Sequence, residues 1–292
     1  MAKVAFLGLG VMGYPMAGHL LKKGGHDVTV YNRSAAKAQQ WVKEYGGRSA
    51  GTPREAAKGR EFVMMCVGND NDLRSVVFGD NGALAGMQKG AILVDHTTVS
   101  ATIAREIYEK AKSMGVGFID APVSGGQAGA VNGQLGIMCG GESAVFEKAK
   151  PVIDIYAKLT ALIGGPGSGQ LTKMVNQICI VGLAQALAEA LAFAKRNDLD
   201  LEKVINVISK GAAQSWQMEN RWKPMNELKA EGFGFAIEWM RKDMGICFAQ
   251  AKQSNASLPV AALVDQFYAR LEARGGKRWD STAALIQLLL KD

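Results

Sequence analysis

Short apolar segments alternate with amphipathic segments through the first half of the chain. The apolar segments with the length of β-strands span residues 3–8, 27–31, 61–67, 91–95, 116–120 and 135–139. Between them, apolar residues recur with the period of a helix, for example over 15–23, 35–45 and 102–114. Buried strands that alternate with helices are typical of βαβ units. We therefore expect an α/β fold with a doubly wound, mostly parallel sheet.

The pattern changes after the sequence Gly-Gly-Pro-Gly-Ser-Gly at residues 164–169, the strongest cluster of helix and strand breakers in the chain. Beyond it, the periodicity predicts only helices, over 170–196, 201–210, 218–227, 237–254 and 259–274. The helix over 170–196 is apolar around most of its circumference, so we expect it to be buried between domains or subunits. We predict an α/β domain over 1–164 and an all-α domain over 165–292.

Composition narrows the class of protein. The chain has 292 residues, of which 48% are hydrophobic and 21% are charged, which is typical of a globular protein and excludes a disordered one. Its uninterrupted apolar runs, such as 178–184, are much shorter than the ~20 residues of a membrane span. The first residues lack the apolar region and cleavage site of a secretory signal, so we expect a cytoplasmic protein.

The net charge, the cysteines and the histidines give only limited information about the ligands of this protein. The formal net charge is +7, but the basic residues are scattered, so we expect an anionic small ligand rather than nucleic acid. The four cysteines, at 66, 139, 179 and 247, form no Cys-x-x-Cys pair and lie in apolar runs, which predicts buried free thiols. The three histidines are not spaced as metal ligands, and we expect no metal site.

A glycine-rich loop follows the first predicted strand and precedes a helix. Its residues are Gly8, Leu9, Gly10, Val11, Met12 and Gly13. In this context the Gly-x-Gly-x-x-Gly spacing predicts a Rossmann dinucleotide site. The glycines allow a tight turn, close approach of the backbone to the pyrophosphate, and close packing of helix on sheet.

The end of the second strand bears on the choice of cofactor. NAD sites usually carry an acidic residue about 20 residues after the loop, where it binds the ribose hydroxyls. This chain has Asn32 there, followed by Arg33 and Ser34, which offer a cation and a hydroxyl to a 2′-phosphate. We predict NADP, with NAD as a weaker alternative. If Asn32 only caps the next helix and Arg33 stacks on adenine, selectivity would be relaxed.

Four segments together resemble the β-hydroxyacid dehydrogenase family, which includes 3-hydroxyisobutyrate dehydrogenase and several semialdehyde reductases. They are residues 6–20, residues 120–126 (Asp-Ala-Pro-Val-Ser-Gly-Gly), the Gly-Ser-Gly of 167–169 with Lys173 to Gln177, and the pair Lys242 and Asp243. They occur in the family's order over nearly the whole chain. The resemblance implies a Rossmann domain followed by a helical domain.

The resemblance also implies the catalytic residues. Lys173 matches the family's catalytic lysine, which donates a proton to the carbonyl oxygen in reduction and accepts one in oxidation. Asn176, three positions later on the same predicted helix face, would bind substrate or orient the lysine. Some relatives carry the amide one position later, at Gln177, so either residue can be its partner. Ser124, with the backbone of Gly125 and Gly126, would bind the substrate carboxylate.

Further matches complete the expected site. Thr98 corresponds to a family position near the nicotinamide ribose or the substrate. Cofactor contacts are implied for a further group of residues: Val67, Gly68, Phe235, Lys242 and Asp243. His96, two positions before Thr98, is adjacent to the expected site but is expected to be a packing residue.

The resulting prediction is an NADP-dependent enzyme that interconverts a small β-hydroxyacid and its aldehyde acid by hydride transfer. We expect a homodimer or homotetramer with no membrane or nucleic-acid partner. Two alternatives are an enzyme similar to imine reductases, which usually lack a lysine at position 173, and a non-catalytic dinucleotide sensor. The substrate can be any of several hydroxyacids or semialdehydes.

Overall fold

The computed structural model describes residues 1–290 as two compact units. Residues 1–173 form the first unit, and the second begins at Met174. Both share the long helix α9 (Ser168–Arg196), which begins in the first unit and continues into the second. The domain boundary at residue 164 stays a prediction based on the glycine cluster.

The first unit is a sheet flanked by helices. Its strands are β1 (Lys3–Leu7), β2 (Asp27–Tyr31), β3 (Arg48–Ser49), β4 (Phe62–Met65), β5 (Ile92–Asp95), β6 (Gly117–Asp120), β7 (Val123–Ser124), β8 (Leu135–Gly141) and β9 (Ala157–Gly164). Its helices before α9 are α1 (Gly13–Lys22), α2 (Ala35–Tyr45), α3 (Pro53–Ala57), α4 (Asp70–Val77), α5 (Ala83–Gly86), α6 (Ala101–Ser113), α7 (Gly126–Asn132) and α8 (Ser143–Ile153).

The strand order places the ligand site. The strands follow the order β3-β2-β1-β4-β5-β6-β8-β7, with β9 beside β8, and pairing is parallel from β3 to β6. Only the pairs β6–β8 and β7–β8 are antiparallel. The order reverses direction between β1 and β4, and dinucleotides bind outside the carboxyl ends of the strands at such a point. The first unit therefore has the predicted Rossmann architecture.

Alternate residues of β1 face opposite sides of the sheet. Val4 and Phe6 belong to one buried cluster, and Ala5 and Leu7 belong to another on the opposite face. Because both faces are buried, β1 is apolar from Val4 to Leu7, which is why its sequence predicts a parallel strand. Three strands were missed in the sequence: β3 and β7 have two residues each, and β9 has exposed apolar residues such as Leu159 and Ile163.

The second unit is helical. After α9 it contains α10 (Leu201–Ile208), α11 (Trp216–Asn226), α12 (Ile237–Ser254), α13 (Pro259–Ala273) and α14 (Gln287–Leu290). Apart from one isolated bridge between Ala236 and Asp280, residues 174–290 contain no β pairing. Polar side chains fix where two helices begin, because Asp200 caps α10 and Ser215 caps α11. The all-α prediction is thus confirmed.

Helix α9 is only partly covered within a single chain, and its predicted burial against a second subunit stays a prediction. Apolar residues form an exposed stripe along it, with Val175 61%, Leu183 45% and Phe193 67% exposed. An 18-residue window of α9 has a mean hydropathy of 1.7, so by length and composition alone this helix could cross a membrane; 50% of the window is buried inside the protein. Isolated polar residues divide this window, so the sequence contains no uninterrupted apolar run of that length.

The cysteine prediction was wrong for one residue and incomplete for another. Cys139 and Cys247 are buried and Cys66 is half-buried, but Cys179 is exposed. Cys179 lies on the exposed stripe of α9, four residues after Val175. An apolar run on a long helix includes residues on every side, so the run does not determine which side is covered.

Candidate active site

The glycine loop between β1 and α1 is shaped for a dinucleotide. Gly8 has a φ of +94°, and a Cβ there would lie 2.2 Å from the carbonyl oxygen of Cys66. A Cβ at Gly13 would lie 2.1 Å from the carbonyl oxygen of Gly8. At Gly10, by contrast, a Cβ would meet no other atom within 4 Å. Gly8 and Gly13 are therefore required for packing, whereas Gly10 leaves open space beside the backbone, which fits the close approach of a pyrophosphate.

Asn32 connects this loop to the end of β2. Its side-chain oxygen accepts a hydrogen bond from Leu9 N–H at 2.9 Å, and its amide nitrogen donates to Ser34 O at 3.2 Å. The Arg33 side chain is 90% exposed and lies 3.4 Å from Asp72. Ser34 precedes α2 without capping it through its side chain. Asn32 thus has a role in loop geometry, and Arg33 and Ser34 are accessible to an anion.

A cavity of about 670 Å³ borders the glycine loop in the first unit. Gly10 and Val11 line it on one side, and Lys37 of α2 lines it on another. Lys22 and Glu44 also line the cavity, so its wall carries two lysines and one carboxylate.

The end of β4 is joined to the loop that follows β5. Val67 N–H donates to the Thr97 hydroxyl oxygen at 3.0 Å, and Thr97 N–H donates to the Asp95 carboxylate at 2.9 Å. Val67, Gly68 and Thr98 are all half-buried. The sequence prediction placed Val67, Gly68 and Thr98 in one site, and the structure brings their two loops into contact.

Buried ionisable side chains at the ends of β5 and β6 have pKa values far from their ordinary ones. Burial raises the pKa of Asp95 to about 7, and the nearby Asp120 carboxylate adds to the shift. Burial lowers the pKa of His96 to about 4, so this imidazole is neutral at physiological pH. His96 Nδ1 lies 2.7 Å from Ala121 O, which can only accept, so Nδ1 carries the proton and Nε2 accepts from the Tyr156 hydroxyl at 2.8 Å. With both ring nitrogens in use, His96 is a packing residue.

Ser124, Gly125 and Gly126 lie where β7 leads into α7. Gly125 and Gly126 have φ values of +126° and +60°, which favour glycine, and both are exposed. Ser124 is half-buried. The backbone here turns sharply and keeps its polar groups near the surface, as the proposed carboxylate contact requires.

The first turn of α9 is held by Asp120, a residue to which the sequence assigned no role. The Asp120 carboxylate accepts from Gly167 N–H at 2.8 Å and from Gln170 N–H at 2.9 Å. Burial raises the pKa of Asp120 to about 6, while these hydrogen bonds act in the opposite direction. A Cβ at Gly169 would lie 2.4 Å from Met138 O, so glycine is needed for α9 to begin this close to the sheet.

Lys173 lies on α9 one turn after Gln170, and it is only 7% exposed. A buried lysine is unusual unless its ammonium has a partner or a function. Because Asp120 fixes the start of α9, it also fixes the point from which the Lys173 side chain extends.

In the second unit, the amides after Lys173 belong to a hydrogen-bonded chain. Asn176 Nδ2 donates to Gln177 Oε1 at 2.8 Å, and Gln177 Nε2 donates to Asp243 Oδ2 at 2.6 Å. Lys242 Nζ lies 3.0 Å from the other oxygen of Asp243. Gln177 is buried and Asn176 is half-buried. The Gln177 side chain is therefore engaged in a hydrogen bond with Asp243, and Asn176 is the more accessible of the two amides.

Phe235, predicted near the nicotinamide, lies just before α12 and is 37% exposed. Its N–H donates to Asp280 Oδ2 at 2.9 Å. The other Asp280 oxygen accepts from Thr282 N–H at 3.1 Å and Ala283 N–H at 2.8 Å. Asp280 anchors the Phe235 segment, and no motif in the sequence indicated this role.

Within residues 1–290, no group of three or more histidine, cysteine, aspartate and glutamate side chains is placed to hold a metal ion. The polar clusters described above are instead held together by hydrogen bonds and ion pairs.

Comparison with known families assigns the chain. Residues 3–165 match the NAD-binding domain of 6-phosphogluconate dehydrogenase, and residues 167–289 match the NAD-binding domain of NADP-dependent 3-hydroxyisobutyrate dehydrogenase. The chain belongs to the β-hydroxyacid dehydrogenase family. It is an oxidoreductase that acts on CH–OH donors and uses a nicotinamide dinucleotide.

Individual relatives agree with this family. The chain is 61% identical to an oxidoreductase of Shewanella frigidimarina, over 99% of this chain and 98% of that protein. It is 32% identical to 2-hydroxy-3-oxopropionate reductase of Escherichia coli, over 98% and 97% of the two chains. Among solved structures, Mycobacterium tuberculosis 3-hydroxyisobutyrate dehydrogenase with L-serine has a TM-score of 0.89 at 27% identity and covers 99% of both chains.

An imine reductase of Myxococcus stipitatus is more distant, with a TM-score of 0.66 and 19% identity. At this identity the similarity concerns the fold alone.

Proposed function

We propose that this enzyme interconverts a small β-hydroxyacid and the matching aldehyde acid with NADP(H), with Lys173 as the general acid and base. The observation that carries the proposal is the buried Lys173, one turn after a helix start that Asp120 holds at two backbone N–H groups. A side chain held this way can keep one orientation toward a substrate oxygen.

The nicotinamide supplies the hydride chemistry when the dinucleotide is bound. The chain must then supply the proton. In reduction, the Lys173 ammonium donates a proton to the carbonyl oxygen, and in oxidation the neutral amine accepts it from the hydroxyl. Asn176 follows three positions later on α9, so the two side chains extend from the same side of the helix. We assign the substrate amide to Asn176, because Gln177 is engaged by Asp243.

The substrate carboxylate would bind Ser124 and the backbone of Gly125 and Gly126, with Thr98 closing the site beside the nicotinamide ribose. Gly125 and Gly126 both have positive φ and are exposed, and neither carries a side chain that would keep a carboxylate from the backbone N–H groups. Val67, Gly68, Phe235 and Lys242 would complete the contacts with the cofactor.

The preference for NADP is supported by the end of β2. Asn32 is neutral and is used to hold the glycine loop, so the position at the end of β2 where NAD sites usually carry an acid has no carboxylate to repel a 2′-phosphate. Arg33 and Ser34 are exposed, and Lys37 lines the cavity beside Gly10. NAD would bind more weakly, because it lacks the 2′-phosphate that these groups would contact.

The experiment is an assay of NADPH and NADH oxidation with a panel of small aldehyde acids and simple cyclic imines. Turnover of at least one aldehyde acid, faster with NADPH, is expected. Turnover of imines alone would favour an imine reductase, and tight NADPH binding without any turnover would favour a dinucleotide sensor. The presence of Lys173 argues against both alternatives.

We also propose that the enzyme works in the cytoplasm as a homo-oligomer, with no membrane or nucleic-acid partner. The proposed contact is the α9 stripe, defined as Val175, Cys179, Leu183, Ala186, Ala190 and Phe193, all exposed and apolar. It extends for roughly 27 Å at about 1.5 Å per residue. The stripe contains no charge, so an antiparallel second copy of α9 can cover it without burying an unpaired ion.

A further inference from the structure

Gln170 is a fully buried polar residue in the first turn of α9. Its backbone N–H, its side-chain oxygen and its side-chain nitrogen each form a hydrogen bond. Its backbone N–H donates to Asp120 Oδ2 at 2.9 Å. Its side-chain Oε1 accepts from Val99 N–H at 3.1 Å, and its Nε2 donates to Thr97 O at 2.7 Å. The amide thus pairs with the backbone on both sides of Thr98.

This pairing joins two parts of the proposed site. Thr98 lies in the loop of residues 96–100, which connects β5 to α6, and Thr97 of the same loop accepts from Val67 N–H. Lys173 lies three residues after Gln170, on the same face of α9. Gln170 is therefore the side chain that ties the start of the lysine helix to the loop that is expected to contact the nicotinamide ribose.

We propose that Gln170 is a positioning residue that fixes Lys173 relative to Thr98, and so aligns the proton donor with the hydride donor. The proposal rests on the assignment of Lys173 as the acid and base. Its chemical basis is that the loop presents the Thr97 carbonyl and the Val99 N–H to one side chain. That side chain must therefore carry both a donor and an acceptor, as the planar amide of glutamine does. In a buried site no water replaces a lost partner, so the contact specifies one geometry.

Other side chains do not meet this requirement. Methionine has a similar length and volume but neither the donor nor the acceptor of the amide. Glutamate meets the requirement only when protonated, because an ionised carboxylate would face the Thr97 carbonyl oxygen without a proton to donate. The pH dependence of a glutamate variant is therefore a direct readout of the contact with Thr97.

The test compares Gln170→Met, Gln170→Glu and the wild type in kcat, KM and NADPH Kd over a range of pH. For Gln170→Met we expect kcat to fall about 10- to 100-fold, as for a small misplacement of a catalytic group, with little change in NADPH Kd. For Gln170→Glu we expect activity near that of the wild type at low pH and a loss of kcat with rising pH that neither other protein shows.

Gln185→Met is the matched control. Gln185 is also buried on α9, but its amide nitrogen donates to Glu189 on the same helix at 2.8 Å. This variant should keep the wild-type kcat. Hydrogen exchange at Val99 N–H should be faster in Gln170→Met and unchanged in Gln185→Met, because only Gln170 accepts that hydrogen bond.

The outcomes separate this proposal from the proposed function. A wild-type chain that reduces no aldehyde acid overturns both. An active wild type with an unchanged kcat in Gln170→Met, or a Gln170→Glu pH profile parallel to that of the wild type, overturns the positioning role alone.

Discussion

Asp95 and Asp120 are register partners at the carboxyl ends of β5 and β6, and both carboxyl groups are buried. Asp120 accepts hydrogen bonds from the first turn of α9, whereas Asp95 accepts from Thr97 N–H through one oxygen. Burial raises the pKa of Asp95 to about 7, with the Asp120 charge adding to the shift, and it raises the pKa of Asp120 to about 6 against the backbone hydrogen bonds that Asp120 accepts.

This difference predicts how stability depends on pH. The pKa of Asp95 rises from 3.8 to about 7 on folding, so between these values the folded chain holds a proton that the unfolded chain releases. Stability from this group therefore decreases as pH rises through that window and is constant above it. Asp95→Asn removes this contribution while it keeps an acceptor for Thr97 N–H.

We expect the free energy of unfolding of the wild type, minus that of Asp95→Asn, to decrease between pH 4 and pH 7. Urea unfolding at several pH values measures this difference, and the subtraction removes the contributions of titratable groups that do not interact with Asp95. A difference that is the same at every pH would show that Asp95 is already ionised in the folded chain under acidic conditions.

Lys173→Ala should lower kcat by roughly 10²- to 10⁴-fold, as expected for loss of a general acid and base, with little change in NADPH Kd. Steady-state kinetics and NADPH binding measure the two effects separately. Lys195→Ala is the control, because Lys195 lies near the other end of α9 and donates to Asn226 O. Near-normal turnover by Lys173→Ala would exclude Lys173 from the chemistry.

Arg33→Ala should raise the KM for NADPH by about 10- to 100-fold, the equivalent of one lost charge-assisted hydrogen bond, and leave the KM for NADH nearly unchanged. Asp72→Asn is the matched control, since it removes the carboxylate beside Arg33 and keeps the cation. It should not weaken NADPH binding. Equal losses with both cofactors in Arg33→Ala would contradict a contact with the 2′-phosphate.

Leu183→Glu should dissociate the homo-oligomer. The substitution places a carboxylate at the centre of the α9 stripe, and this charge would have to be buried at the interface without a partner. Sedimentation equilibrium measures the mass of the species. Val207→Glu, on α10 and outside the stripe, is the control and should leave the mass unchanged, since Val207 is 73% exposed. If Leu183→Glu has the same mass as the wild type, the second copy does not bind this stripe.

Much of the first unit was predictable because its signals are local. The Gly8–Gly13 spacing indicates the dinucleotide loop because Gly8 has a positive φ and a Cβ at Gly13 would strike the carbonyl oxygen of Gly8, five residues earlier. Likewise, the continuous apolar strand at Val4–Leu7 predicts burial on both faces. The assignment of Lys173 by resemblance likewise depended on short, contiguous motifs.

The sequence by itself determined the α/β and all-α parts, the nicotinamide dinucleotide and the family, because these follow from periodicity and short motifs. Only the tertiary structure decided which groups hold the site together. Gln170 bonds to residues 71 and 73 positions away, and Asp120 to residues 47 and 50 positions away. Such pairs meet only when the strand order brings the ends of β5, β6 and α9 to one edge of the sheet, and no local pattern encodes that order.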